Sequence, residues 1–163
     1  MVVLEGTTGS APANDRAEGF LEAIEGSGIT TLASQTGNFT RAEGKTVMEG
    51  FLQAYAGEID LLYAHNDDMA LGAIDAIEAA GAVPGEDIKI ISIDAVRDGD
   101  TLRVQVRDDG AGLQPGLSTG VGLANVREQL AARYGARAAF VLSPAAEGRG
   151  VCAEIRVPLG SVA

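Results

Sequence analysis

The stretch "IISIDAVRDGDTLRVQVRDDGAGL", residues 90–113, joins two strand-like runs of different kinds. The first, Ile88–Ile93, is nearly continuous in apolar residues, as suits a strand buried on both faces of a parallel sheet. The second, Thr101–Val106, alternates. Leu102, Val104 and Val106 fall on one face, Arg103, Gln105 and Arg107 on the other, which predicts a strand with one wet face. Between them "DAVRDGD" reads as a connection. Two strand patterns meeting there place a seam near residues 95–100.

Charge changes at the same place. Residues 1–96 carry 16 acidic and 4 basic side chains, a net of −12; residues 97–163 carry 7 and 8, a net of +1, and every basic residue there is Arg. Upstream, strand and helix alternate. A short strand ends in Gly6, "TTGSAPAND" reads as a loop, and a helix from about Asp15 puts Phe20, Leu21 and Ile24 on one face. "ITTLASQ" is a second strand. A helix from about Thr40 carries Val47, Met48, Phe51, Leu52 and Tyr55 at three- and four-residue spacing. "IDLLYAHN" is a third strand, followed by a helix over "DDMALGAIDAIEAAG" closed by Gly81, and "IKIISID" is a fourth strand. Strands separated by helices of this length imply crossovers and a parallel sheet.

Downstream, a glycine-rich loop, "GAGLQPGLSTGVG", follows the alternating strand. A helix over "LANVREQLAARYG" places Leu123, Val126, Leu130 and Tyr134 on one side, and "AAFVLSP" and "GVCAEIRVPL" form a hairpin turning at "AAEGRG". The expected fold class is α/β: βαβ units on a parallel sheet in the first half, extended in the second by a strand, a helix and an antiparallel hairpin. One domain over 1–163 is expected, built of fragments 1–96 and 97–163, since 163 residues bury roughly 70% of the unfolded surface as one core.

The totals exclude several classes. A net charge of −11 argues against nucleic acid and anionic membrane as partners. No run approaches the ~20 apolar residues of a spanning helix. The absence of a basic-then-apolar leader predicts a cytoplasmic location on recombinant expression. A single Cys152 rules out an internal disulfide, and a single His65 rules out a multi-histidine metal site, so no metal site is expected. Strands Thr101–Val106 and Val151–Val157 are expected to offer an edge, which allows a monomer or an edge-paired dimer.

In open parallel sheets ligands sit beyond the carboxyl ends of the strands. Four side chains are expected there: Arg16 opening the first helix, Phe39 after the second strand, Asn66 ending the third and Asp94 ending the fourth. A guanidinium, a ring, an amide and a carboxylate suit a polyol. On spacing alone Asn66 and Asp94 better suit plain capping. In the second half, Asp108, Gly110 and Gly112 form D-x-G-x-G after a strand, and Gly120 and Gly122 stand just before a helix, where backbone N–H groups can meet an anion. Asn125 occupies the third-glycine place of the dinucleotide fingerprint, so that motif is absent. "FTRAEGKT" imitates the end of a P-loop, but Phe39 stands where its first glycine belongs and the segment reads as a helix. His65 reads as a rim residue, Cys152 as small packing, and Asp67–Asp68 as favourable charge at a helix start.

"LEGTTGSAPANDRAEGF", "ASQTGNFTRAEGK", "YAHNDDMALGAIDAIEAAG" and "IKIISIDA" closely resemble the C-terminal lobe of periplasmic sugar-binding proteins of the ribose and galactofuranose type, over residues 2–96. The resemblance implies that Arg16, Phe39, Asn66 and Asp94 line a monosaccharide cleft. Residues 97–159 resemble the C-terminal part of a histidine-kinase-type ATPase domain, related in ATP-binding fold to gyrase, Hsp90 and MutL, on "VRDDGAGL" and "STGVGLANVREQL". That resemblance implies adenine contact through Asp108, Gly110 and Gly112, with Gly120 and Gly122 near phosphate. The family's helix bearing the magnesium-holding Asn has no counterpart here, nor do the dimerisation helix and phospho-acceptor His. The opposite lobe and hinge strands of the sugar-binding family are also missing. The two resemblances together imply an engineered chimeric scaffold of two α/β fragments, with no catalytic residue and no required cofactor. The alternatives are a small-molecule ligand: ATP or ADP bound weakly at the glycine boxes, or a monosaccharide bound weakly by the lone lobe.

Overall fold

A computed structural model of the chain describes residues 1–108, 112, 121–145 and 150–159. The described elements are β1 (Val2–Glu5), α1 (Ala11–Ile24), β2 (Ala33–Thr36), α2 (Arg41–Ala54), β3 (Leu61–Ala64), α3 (Asp67–Ala79), β4 (Lys89–Asp98), β5 (Thr101–Asp108), α4 (Val121–Tyr134), β6 (Ala139–Pro144) and β7 (Val151–Pro158). The strands hydrogen-bond in the order β2-β1-β3-β4-β5-β7-β6. The fold is the expected mixed α/β arrangement, parallel first and antiparallel later. Two compact units divide the chain, Met1–Ser92 and Ile93–Ala163.

In the first unit, β1 runs parallel to β2 and β3, and β3 parallel to β4, in the registers Val2↔Ala33, Val2↔Leu62 and Leu62↔Ile90. One sheet face presents Val2, Leu4, Leu62, Ala64 and Ile90 to Val47, Met48 and Phe51 of α2 and to Met69, Ala73, Ala76 and Ile77 of α3. A fully buried side chain of the Leu or Phe class contributes about 1.5–3 kcal/mol, so this face is the main source of the unit's stability. The α2–α3 crossing is close because two glycines meet the opposing helix. A Cβ on Gly72 would lie 2.1 Å from the Arg41 carbonyl oxygen, and one on Gly44 2.7 Å from Met69 Cα. A bidentate Arg41–Asp75 ion pair at 3.0 Å ties the two helices at the surface.

Helix α1 starts at Ala11, four residues before the expected Asp15. Ser10 takes the extended N-cap conformation, and Pro12 sits in the first turn, where its missing N–H has no helical partner to lose. Arg16 therefore lies inside α1 and does not open it.

In the second unit, β5 pairs antiparallel with β7 from Thr101↔Pro158 to Asp108↔Val151, and β6 pairs antiparallel with β7. The "DAVRDGD" segment is not a loop. Residues 94–98 extend β4, and the turn to β5 is only Gly99–Asp100, with Gly99 at φ +60°. A two-residue connection joins neighbouring strands antiparallel. The expected edge strands are interior, since β5 and β7 each have hydrogen-bonded neighbours on both sides.

The expected wet face of β5 also needs correction. Gln105 is buried and Val106 is exposed. Gln105 donates to Glu154 Oε2 at 2.6 Å and accepts from Arg107 at 2.6 Å, so its amide is partnered out of water. Burial opposes the Glu154 charge, but the hydrogen bonds from Gln105 and Arg156, with Arg103 close by, outweigh it and hold this carboxyl below its usual range. On α4, Leu123, Val126, Leu130 and Tyr134 are half-buried as the spacing predicts, and the Arg127 guanidinium lies 5.0 Å above the Phe140 ring.

Candidate ligand-binding site

Three connections gather beyond the carboxyl ends of the first unit's strands: Gly6–Ser10, Gly37–Thr40 and His65–Asn66. Asn38 and Phe39 both adopt positive φ, +51° and +62°, in a tight turn closed by the Thr40 N–H on the Gly37 carbonyl at 2.9 Å. A left-handed conformation is unusual for an aromatic residue and costs on the order of 1–3 kcal/mol. It delivers the Phe39 ring onto Gly6, where an added Cβ would fall 1.9 Å from Phe39 Cζ. The Arg16 guanidinium stands 5.5 Å from the centre of the same ring and donates back to the Pro12 carbonyl at 3.0 Å. Asn66 accepts the Met69 N–H at 3.0 Å as the N-cap of α3 and donates to the Phe39 carbonyl at 3.0 Å. Capping and site-building are thus one arrangement, and Arg16, Phe39 and Asn66 are brought together.

Asp94 is not brought to a strand end. It lies mid-strand in β4 and belongs to the second unit, because the Gly99–Asp100 hairpin draws residues 93–98 into pairing. Asp67 and Asp68 occupy the first turn of α3, where negative charge suits the helix N-terminus, and Asp67 also accepts from the Ser92 hydroxyl. Gly44, Lys45 and Thr46 lie within α2, so the P-loop imitation is a helix, as read from the sequence.

His65 is buried, not a rim residue. Residues alternate along this strand, so Tyr63 and His65 face away from the Leu62–Ala64 side. Phe20 of α1 stacks on Tyr63 with ring centres 3.8 Å apart, and the Tyr63 hydroxyl donates to the Arg16 carbonyl. The Gly6 N–H donates to His65 Nδ1 at 3.2 Å. Burial lowers the His65 pKa below the usual imidazole range, Glu5 opposing and Arg16 adding to the shift. Burial pushes the Tyr63 hydroxyl up to about 12, against the pull of Arg16. Both groups are therefore held neutral. For His65 the unfolded chain binds the proton more readily, so stability is lost as pH falls through and below about 6.5. For Tyr63 the folded chain keeps the proton longer, so stability is lost as pH rises from 10 toward 12. Urea midpoints measured from pH 5 to 11 should fall at both ends, and His65→Gln should flatten the acid limb alone.

In the second unit, Asp108 ends β5 and accepts the Val151 N–H at 3.2 Å, the residue opposite it on β7. Gly112 has φ +78°. Gly122 is not ahead of the helix but in the first turn of α4, which begins at Val121. Gly110 and Gly120 lie outside the described residues. Among the described residues no group of three or more His, Cys, Asp or Glu could hold a metal ion, and no helix is long and apolar enough to cross a membrane.

The periplasmic binding protein domain family matches residues 1–100. The chain belongs to that family. The galactofuranose-binding protein YtfQ of Escherichia coli K12 is 50% identical over 101 residues, covering 60% of this chain and 32% of its own. A crystal structure of a galactofuranose-binding protein superimposes with TM-score 0.56 at 51% identity, over 57% of this chain and 32% of that one. A Mycobacterium smegmatis structure in complex with β-D-fucofuranose gives 0.55 at 56% identity, over 57% and 31%. This chain thus spans about a third of the length of these relatives. Residues 71–161 match a second family, the histidine kinase-, DNA gyrase B- and HSP90-like ATPases. The two matches overlap over residues 71–100, and together they are consistent with a chain that combines two families.

Sequence reasoning missed the buried pair of Tyr63 and His65. The period-two alternation of "LLYAH" was the available signal, since it places Tyr63 and His65 on one face.

Proposed function

We propose that this chain is a monosaccharide-binding fragment that takes a furanose-form sugar through its first unit and catalyses no reaction. The observation that carries this reading is the convergence of Arg16, Phe39 and Asn66 on the Gly6 loop. The guanidinium and amide are hydroxyl-binding groups, and the ring is an apolar face for sugar C–H bonds. Relatives at about 50% identity whose names specify galactofuranose and fucofuranose support the sugar class. A single lobe gives up the opposing half of the contacts, so affinity on the order of millimolar is expected. The reading of the chain as engineered rests on the pairing of a periplasmic binding protein match with an ATPase-family match in one chain.

The adenine-nucleotide reading is kept because residues 71–161 match the ATPase family. Against it, the Asp108 carboxylate already accepts the Val151 N–H. NMR-detected titration with methyl β-D-galactofuranoside, beside ADP with and without magnesium, decides between them. Saturable sugar-induced shifts at Gly6, Phe39 and Asn66 are expected, lost in Asn66→Ala, which also costs about 1 kcal/mol of stability through the lost cap. A micromolar ADP response abolished by Asp108→Ala, with no sugar response, would replace this reading by the other.

A further inference from the structure

The Gly6 N–H donates to His65 Nδ1, so in the neutral ring the proton resides on Nε2. That Nε2–H is buried and has no partner, although the imidazole has no exposed surface. Buried donors are nearly always paired, and an orphan one calls for an explanation. Two further side-chain atoms are buried without a partner, Arg16 Nε and Ser10 Oγ. All three belong to one neighbourhood. Ser10 stands at the N-cap position of α1 without a side-chain capping bond, and Arg16 donates back to Pro12 in the first turn of that helix. Arg16 faces the Phe39 ring, the ring rests on Gly6, and Gly6 bonds to His65.

We propose that His65 is a specificity-determining residue of the sugar site, whose Nε2–H is held for an oxygen acceptor of a neutral polyol, a hydroxyl or ring oxygen. The inference rests on the sugar-binding reading above and deepens it. Two of the orphan atoms are N–H donors, so the neighbourhood asks for an oxygen that accepts, and a hydroxyl that also donates can satisfy Ser10. An ammonium group has no lone pair to offer and is rejected. The charged groups near the imidazole are Glu5 and Arg16, whose effects on it are opposed, and its burial keeps it neutral. Reaching Nε2 requires its cover to part. Phe39, whose ring rests on Gly6, and Arg16, whose guanidinium stands over that ring, are the neighbours that would give way.

A site built to hydrogen-bond a hydroxyl discriminates strongly against the analogue lacking it. The test is a four-way comparison of wild type and His65→Leu with methyl β-D-galactofuranoside and its monodeoxy analogues. Wild type should bind the parent about tenfold more tightly than one particular deoxy analogue, and His65→Leu should bind those two alike. His65→Gln, which keeps an N–H donor, should restore part of the difference. On the unmodified protein, the imidazole 15N spectrum should show the Nε2–H tautomer, and its Hε2 signal should move downfield with sugar. If wild type binds the parent sugar while Hε2 stays still and the discrimination survives in His65→Leu, His65 has no part in recognition. If wild type binds no sugar at all, the function proposed above falls and this inference falls with it.

Discussion

Gly72→Ala is expected to destabilise the first unit by about 2–3 kcal/mol, the range of an overpacked core. The prediction opposes the intrinsic preference, because alanine in a helix interior is favoured over glycine by about 1 kcal/mol. What decides the sign is the obstacle. The new methyl group would lie 2.1 Å from a backbone carbonyl oxygen and 2.9 Å from a backbone nitrogen of α2, neither of which can rotate away. Helices α2 and α3 would have to separate, loosening Met48, Phe51, Met69 and Ile77 together. Gly50→Ala, in α2, is the matched control: nothing lies within 4 Å of its added methyl, so stability should rise by up to about 1 kcal/mol. Urea midpoints of the two variants should move in opposite directions. A Gly72→Ala midpoint at or above wild type would mean that the helices do not cross this closely.

The second large effect is expected on binding. Gly6→Ala places a methyl 1.9 Å from Phe39 Cζ, the far end of a side chain that can rotate. The ring is evicted while the backbone stays, so the stability change should be smaller than for Gly72→Ala. Losing a well-placed aromatic contact amounts to about 0.5–1.5 kcal/mol, a two- to tenfold loss of sugar affinity. Sugar-induced shifts at Phe39 should disappear with it. Unchanged affinity in a folded Gly6→Ala protein would remove Phe39 from the site.

The parallel half of the fold was legible because its signals are local: apolar runs, helical spacing, and a Thr and an Asn at the expected N-caps of α2 and α3. What stayed hidden depended on partners. The start of α1 depended on Ser10 and Pro12, which read equally well as turn residues. "DAVRDGD" looked like a loop because its charges suit solvent, yet hairpin pairing with β5 makes it strand. Gln105 looked wet because an amide is polar, and only Glu154 and Arg107, distant or offset in the chain, make its burial tolerable. In the candidate site, the connections read from the sequence sufficed to bring Arg16, Phe39 and Asn66 together. The burial of His65 did not follow from a lone histidine at a strand end, since it arises from the Tyr63–Phe20 stack and the fold of the Gly6 loop over it.

Cys152 is the sole thiol of the chain and lies buried on β7, between Arg107 of β5 and Ser143 of β6. It is therefore a built-in reporter of motion. A thiol reagent can reach it only when the strands around it part, so the labelling rate measures the local opening of the second unit without any engineered probe. Labelling in urea below the unfolding transition would separate breathing of β5-β7-β6 from cooperative unfolding. No signal from the first unit would be mixed into it.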